Sequence, residues 1–190
     1  MSGRLIVIGG GVRSGKSSFA LARARTLGAR RGFIATAQAF DAEMAARIAD
    51  HARTRGPDFQ TIEEPIALAE RLAGLRAHDV VVIDCLTLWL SNLLLRDEPA
   101  SRIAAQVDEL VRVIERAPFD TIIVTNEVGM GVVPDSALGR AFRDITGASH
   151  QRLAAVASEL YLAALGVIVR LRPEPIAVET SAARMTFRDS

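Results

Sequence analysis

The chain has 190 residues, of which 49% are hydrophobic and only 5% aromatic, and its formal net charge is +1. This length predicts one domain with a sizeable core. The near-neutral charge and the scarcity of aromatic rings argue against a nucleic-acid surface, which needs a basic excess and rings that stack on bases. The only cysteine, Cys85, excludes an internal disulfide and a multi-cysteine metal site, so we expect a reducing, cytoplasmic location.

Strand and helix patterns alternate along the chain, which predicts an α/β fold with a mostly parallel, twisted sheet and helices on both faces. In chain order, the expected elements are strand 4–8, helix 17–27, strand 32–35, helix 41–55, helix 66–75, strand 80–83, helices 86–94 and 101–116, strand 121–125, helix 138–164 with a break at Gly147, and strand 166–171. We expect residues 1–172 to form a single nucleotide-binding catalytic domain and residues 173–190 a loosely held tail. The longest apolar stretches fall short of the roughly 20 residues that a membrane span needs.

A phosphate-loop motif follows the first predicted strand. Residues 10–17 read G-G-V-R-S-G-K-S, which is the full G-x-x-x-x-G-K-S spacing between a strand and a helix. Lys16 is the only lysine in a chain that otherwise uses arginine, and its compact charge suits a phosphate better than a planar guanidinium does. The motif predicts a nucleoside triphosphate site whose contacts are Gly10, Gly11, Val12, Arg13, Ser14, Gly15, Lys16 and Ser17.

Asp84 ends the apolar run of the third predicted strand, residues 80–83. A carboxylate at the carboxyl end of a parallel strand faces the crevice in which such sheets bind ligands. We therefore expect Asp84 and the Ser17 hydroxyl to hold Mg²⁺ beside the phosphates. Alternatively, or in addition, Asp84 caps the next helix. The N-K-x-D pattern of regulatory GTPases is absent, so a small-molecule kinase or a nucleotidyl transferase is the better interpretation.

The helix predicted from Asp41 carries a basic stripe. Arg47, His51 and Arg55 lie at positions i, i+4 and i+8, so they share one helix face. A neutral imidazole between guanidinium groups is a possible nucleophile next to a triphosphate. From spacing alone, an ordinary solvated basic face with a chance histidine is the favoured interpretation.

Several motifs together resemble one family. The chain resembles, over nearly its whole length, the bifunctional adenosylcobinamide kinase/adenosylcobinamide-phosphate guanylyltransferases of cobalamin biosynthesis. The most distinctive motif is T-N-E-V-G-M-G-V-V-P at residues 125–134, which no generic phosphate-loop protein needs. The other matching stretches are residues 10–17, 33–38, 41–48, 84–94, 142–145 and 151–154. The fold expected on this basis is a P-loop NTPase-type (RecA-like) α/β fold.

The resemblance implies an activity and a set of site residues. The family phosphorylates the side-chain hydroxyl of adenosylcobinamide with ATP or GTP, and then links GMP from GTP to that phosphate through a guanylylated histidine, which the motif match places at His51. It implies a corrinoid small-molecule substrate and a homotrimer, and the charge and aromatic content already argue against a nucleic-acid partner. It also implies nucleotide contacts at Thr36, Ala37, Gln38, Ala52, Arg53, Thr54, Arg55, Glu63 and Asp84.

Three further charged residues carry expectations. Glu127 either orients the substrate hydroxyl or caps the turn at 129–134. Arg53 and Arg55 are expected to neutralise the leaving pyrophosphate.

The two other histidines and the tryptophan have expectations of their own. His150 is expected as a polar helix residue, with substrate contact as the alternative, and His78 as a solvated loop residue. Trp89 belongs to the core or to a subunit interface. Two other functions stay open: a kinase for a different small alcohol, and a non-catalytic nucleotide-sensing assembly protein.

Overall fold

The structure, a computed structural model, describes residues 2–39 and 41–181. Its strands are β1 Leu5–Gly10, β2 Arg31–Ala35, β3 Gln60–Glu63, β4 Val80–Asp84, β5 Asp120–Asn126, β6 Glu159–Ala164, β7 Val167–Arg172 and β8 Ala177–Ser181. Its helices are α1 Lys16–Leu27, α2 Ala42–Arg55, α3 Leu68–Ala73, α4 Leu86–Leu94, α5 Ala100–Arg116 and α6 Ala137–Val156. None of these helices is long and apolar enough to cross a bilayer.

All eight strands belong to one sheet with the order β3-β2-β4-β5-β1-β6-β7-β8. The first six strands in this order are parallel, and β7 and β8 continue the sheet antiparallel. The carboxyl ends of β1, β4 and β5 therefore meet at one edge of the sheet. This edge is where the phosphate loop leaves β1.

The buried strands supply side chains to both faces of the sheet, as alternation along a strand requires. In β1, Leu5 and Val7 join one core cluster, whereas Ile6 and Ile8 join the other. Helices α3 to α6 complete the first cluster, and α1 packs on the second. Helices thus cover both faces, and the predicted α/β class is confirmed.

The predicted helix over residues 138–164 is wrong in its second half. α6 runs through Gly147 without a break and ends at Val156, and Glu159–Ala164 is β6, paired with β1 and β7. A glycine inside a helix costs only about 1 kcal/mol relative to alanine, and the packing of α6 against α4 and α5 outweighs this cost. In β6 the buried residues alternate, which is a period of two that a run of leucines and alanines conceals.

Two further strands, besides β6, lie where none was expected. β3 is an edge strand whose side chains are mostly exposed, so it lacks the apolar run that marks a buried strand. β8 pairs with β7 within the segment predicted as a loose tail. Residues 182–190 of that predicted tail lie outside the described part of the chain.

Two single-residue expectations are resolved by burial. His78, expected to be solvated, is buried, and its Nε2 lies 3.1 Å from Oε1 of Gln60. Trp89 belongs to the core: it is 1% exposed, and its indole N–H donates to the carbonyl of Ile66 at 2.8 Å.

The turn between α1 and β2 is held by Asp79. Its carboxylate accepts hydrogen bonds from the N–H groups of Ala29 and Arg30 at 3.0 and 2.9 Å, and it pairs with the Arg30 guanidinium. A Cβ at Gly28 would lie 2.2 Å from the Cβ of Asp79, so the turn needs glycine there. The hydrogen bonds from Arg30 lower the pKa of Asp79 to about 2.

The burial of two leucines predicts different losses of stability when each is replaced by alanine. Leu110 of α5 is fully buried, whereas Leu138 of α6 is 52% exposed. We expect Leu110→Ala to lower the free energy of unfolding by about 2–5 kcal/mol, because it leaves a cavity. The same change at Leu138 should cost at most about 0.5 kcal/mol. Urea unfolding of both variants measures the difference, and equal losses would contradict the packing described here.

The low pKa of Asp79 predicts a pH-dependent stability. The folded state favours the ionised Asp79 carboxylate. Its contribution to the free energy of unfolding is therefore fully present above about pH 4, the pKa of an Asp in the unfolded chain. It is lost as the pH falls toward about 2. Asp79→Asn should therefore be less stable than the unaltered chain at neutral pH, and the difference should shrink on acidification. Unfolding midpoints measured along this pH range test the expectation, which a constant difference would refute.

Candidate nucleotide-binding site

The phosphate loop joins β1 to α1 through backbone conformations that favour glycine. Gly10 has φ of +156°, and a Cβ there would lie 2.4 Å from the carbonyl oxygen of Ala163 in β6. Gly15, the N-cap of α1, has φ of +88°. The loop therefore curls over the N-terminus of α1, where free N–H groups favour an anion. The Ser14 hydroxyl is buried in this loop with no hydrogen-bond partner among the described residues.

Lys16 lies over the loop that precedes it. The residue is 8% exposed, and its Nζ donates to the carbonyl oxygen of Gly11 at 2.8 Å. Burial lowers the pKa of Lys16, against the opposing influence of the Asp84 carboxylate. The ammonium group is thus poorly hydrated, and a phosphate oxygen would gain a charge-assisted hydrogen bond from it.

A crevice of about 80 Å³ lies beside the loop, between α1, α2 and the carboxyl end of β4. It brings together Ser17 and Asp84, the two predicted magnesium ligands. The residues that line it are Ser17, Ser18, Leu21, Phe33, Asp50, Thr54, Arg55 and Asp84. The N-cap position of α4 is Cys85, and Asp84 is the last residue of β4, so the alternative in which Asp84 is the cap of the next helix is wrong.

The donor set in the crevice fits Mg²⁺. A hydroxyl and a carboxylate are hard oxygen ligands, which this ion combines with water and phosphate oxygens. Over residues 2–39 and 41–181, no group of three or more His, Cys, Asp or Glu side chains is arranged to hold a metal ion. An ion at Ser17 and Asp84 would therefore complete its shell from the nucleotide, as in other phosphate-loop proteins.

Arg55 forms one wall of the crevice. The residue is 7% exposed, and its guanidinium carbon lies 4.0 Å from the ring centroid of Phe33. Burial lowers the pKa of Arg55, and the carboxylates of Asp84 and Glu63 oppose this shift. The cation is held by a ring and by nearby negative charge, so it can meet a phosphate without moving far.

The remaining predicted contacts on α2 are less uniform. Arg53 has a 73% exposed side chain that pairs with Asp50 at 3.0 Å, and Ala52 is exposed. Only Thr54 and Arg55 of the four predicted residues line the crevice. Helix α2 begins as expected, because Asp41 caps it by accepting from the N–H of Met44 at 2.7 Å.

His51 lies in α2, one turn before Arg55. The side chains of Arg47 and His51 fall outside the described parts of the structure, so the predicted stripe stays a prediction.

Thr36 supports the site but does not line it. The residue is fully buried, and its hydroxyl exchanges hydrogen bonds with the N–H and the carbonyl of Cys85, both at 2.8 Å. The Thr36 hydroxyl is thus engaged within the fold, and a nucleotide contact at this residue stays a prediction. Ala37 and Gln38, which follow β2, are half-buried, and Glu63 is exposed at the end of β3.

Several site residues escaped the sequence analysis. Ser18, Leu21 and Asp50 line the crevice, and helical periodicity from Ser17 on α1 could have indicated Leu21, which lies at i+4. Asn92 was also missed: its buried amide donates to the carbonyls of Thr36 and Pro65 at 2.8 and 3.0 Å. A polar residue inside the apolar helix α4 was the available signal.

Glu127 lies on the other side of the phosphate loop, just after β5. Its N–H donates to the carbonyl of Gly10 at 3.0 Å, and its Oε1 accepts from the N–H of Gly129 at 2.7 Å. The capping alternative for this carboxylate is therefore observed. The same contacts hold it next to the first residue of the loop, so a role toward substrate is compatible with the cap.

Comparison with known proteins gives consistent results. Residues 6–171 match the family described as cobinamide kinase / cobinamide phosphate guanyltransferase. The bifunctional adenosylcobalamin biosynthesis protein CobP of Pseudomonas aeruginosa is 41% identical over 168 residues, covering 88% of this chain and 96% of the relative. Its counterpart CobU of Escherichia coli is 38% identical over 181 residues, covering 88% and 99%.

Among solved structures, the RadB recombinase superposes with a TM-score of 0.53 at 16% identity, covering 95% of this chain and 89% of that one. This likeness concerns the fold alone, and it confirms the predicted RecA-like P-loop architecture. The match over most of the sequence and the identity to these relatives show that the chain belongs to the cobinamide kinase / cobinamide phosphate guanyltransferase family.

Proposed function

We propose that this chain phosphorylates the side-chain hydroxyl of adenosylcobinamide and then transfers GMP from GTP to the phosphate it has made. The observation that carries the proposal is the crevice beside the phosphate loop, which is lined by Ser17, Asp84 and Arg55. Arg55 lies one helical turn after His51 on α2. The kinase-only and nucleotide-sensing alternatives gain no support from the relatives, whose names describe bifunctional proteins.

In the phosphorylation step, the loop N–H groups and Lys16 bind the β- and γ-phosphates and spread the charge that develops on the transferred group. Ser17 and Asp84 would hold Mg²⁺, which neutralises phosphate charge when it is bound. Glu127 orients the substrate hydroxyl from the β5 side of the loop. The hydroxyl oxygen forms a bond to the γ-phosphorus as the bond to the β-phosphate oxygen breaks.

In the guanylyl transfer, an imidazole nitrogen of His51 attacks the α-phosphorus of GTP and pyrophosphate leaves. The cobinamide phosphate then attacks the same phosphorus, and the nitrogen–phosphorus bond breaks. Arg55 is suited to neutralise the pyrophosphate because its cation is held within the crevice. Arg53 is the weaker candidate for this role, since its exposed side chain already pairs with Asp50.

The family resemblance supports the remaining parts of the proposal. ATP or GTP serves the first step and GTP the second, with Mg²⁺ in both. The protein acts as a cytoplasmic homotrimer on a corrinoid substrate, without a nucleic-acid partner.

The kinase step predicts a strong dependence on Lys16. Lys16→Ala removes a charge-assisted hydrogen bond worth roughly 1.5–3 kcal/mol, so phosphorylation should fall about ten- to a hundredfold. Arg112→Ala is the matched control, since it removes an exposed cation that pairs with Glu109 at 2.6 Å on α5. Initial rates of cobinamide phosphorylation measure both, and near-normal activity of Lys16→Ala would refute the assignment.

The transferase step predicts a covalent label on one histidine. With GTP labelled at the α-phosphate, the chain should acquire an acid-labile label that leaves when cobinamide phosphate is added. His51→Asn should take up no label and still phosphorylate cobinamide. His78→Asn is the control, since His78 is buried beside Gln60 of β3, and it should label normally. Label that persists on His51→Asn excludes His51 as the nucleophile.

A further inference from the structure

A half-buried histidine connects α6 to the end of β5. Nε2 of His150 lies 2.7 Å from Oγ1 of Thr125, and its Nδ1 lies 3.6 Å from Oε2 of Glu127. The His150 side chain is 19% exposed and that of Glu127 is 28% exposed, while Thr125 is buried. The proposed chemistry leaves this Thr125–His150–Glu127 cluster without a role for its histidine.

The partners of His150 favour one tautomer. An ionised carboxylate only accepts hydrogen bonds, so a proton on Nδ1, which lies 3.6 Å from Oε2 of Glu127, is the favourable arrangement. In a neutral imidazole Nε2 is then an acceptor, and the Thr125 hydroxyl donates to it. Burial lowers the pKa of His150, against the influence of Glu127, which agrees with a neutral ring.

The carboxylate of Glu127 is thereby held from two sides. The N–H of Gly129 donates to Oε1 at 2.7 Å, and His150 faces Oε2. The backbone of Glu127 is in turn bonded to Gly10, the first residue of the phosphate loop. Without His150, the Glu127 carboxylate would have only the hydrogen bond from Gly129 and could rotate about it. His150 therefore restricts the orientation of this carboxylate.

We infer that His150 is a positioning residue for the phosphorylation step, and that it acts by aiming the Glu127 carboxylate at the substrate hydroxyl. The inference rests on the proposed function. In the step, the hydroxyl proton passes to Glu127 as the hydroxyl oxygen bonds to the γ-phosphorus. The bond from that phosphorus to the β-phosphate oxygen breaks, and the nucleoside diphosphate leaves with the electron pair. His150 keeps its own proton throughout.

The position of the cluster separates it from the second reaction. Helix α6 packs with α4 and α5 on one face of the sheet, whereas α1 lies on the other. The crevice beside α2 is on the α1 side of the phosphate loop. A change at His150 should therefore affect phosphorylation and leave the label from GTP unaltered.

The test compares two substitutions of the same residue. His150→Leu removes both nitrogens and should lower kcat for cobinamide phosphorylation about ten- to a hundredfold, with KM for the nucleotide unchanged. His150→Asn keeps an amide donor near Glu127 and should recover most of that loss. Thr146→Val is the control, because it changes another buried polar residue of α6 outside the cluster, and it should leave kcat unchanged.

A double substitution tests whether His150 acts through Glu127. In Glu127→Gln, His150→Leu should cause no further loss, because the carboxylate that it aims has gone. If His150→Leu does not fold, Thr125→Val applies the same test, since it removes the hydroxyl that fixes the ring.

Four results would overturn the inference: equal loss of phosphorylation and labelling, no recovery with Asn, a full additional loss in Glu127→Gln, or normal kcat in His150→Leu. Failure of the proposed function looks different, because the unaltered chain would then neither phosphorylate cobinamide nor take up label.

Discussion

Parallel pairing of β1 with β5 on one side and β6 on the other is the constraint that shapes the site. The register sets Gly10 beside Asn126 and Ala163, so the chain leaves the sheet through a gap that has no room for a side chain. The same pairing brings Glu127 to the loop by a backbone hydrogen bond. Because both neighbours are parallel, their carboxyl ends deliver functional groups to the same edge.

Charge in the site is arranged around Asp84. This carboxylate favours the charged forms of both Lys16 and Arg55, which burial would otherwise disfavour. A nucleotide that binds here with a metal ion would bring both negative and positive charge. Lys16 and Arg55 would then contact phosphate oxygens, and Asp84 would contact the metal ion. One crevice can in this way serve two phosphate chemistries, with Glu127 on one side of the loop and α2 on the other.

The sequence predicted the parts of the fold that have a strong local signal. The phosphate loop and the Asp41 cap each combine composition with a turn or cap residue, and the run ending in Asp84 is apolar and β-branched up to its last residue. The structure confirms all three elements. In Glu159–Ala164 the leucine and alanine residues favour a helix, yet pairing with β1 makes the segment a strand. Thr36 and His150 show the same limit for the site, since their partners come from distant strands and helices.

The solitary lysine also has a consequence for how this chain can be modified. Every other basic side chain except the histidines is a guanidinium, so acylating or reductively alkylating reagents meet a single side-chain amine, and it lies in the phosphate loop. Its lowered pKa leaves more of that amine in the nucleophilic, unprotonated form. Covalent attachment at this amine would thus report, without any engineered tag, whether the loop is covered by a bound anion.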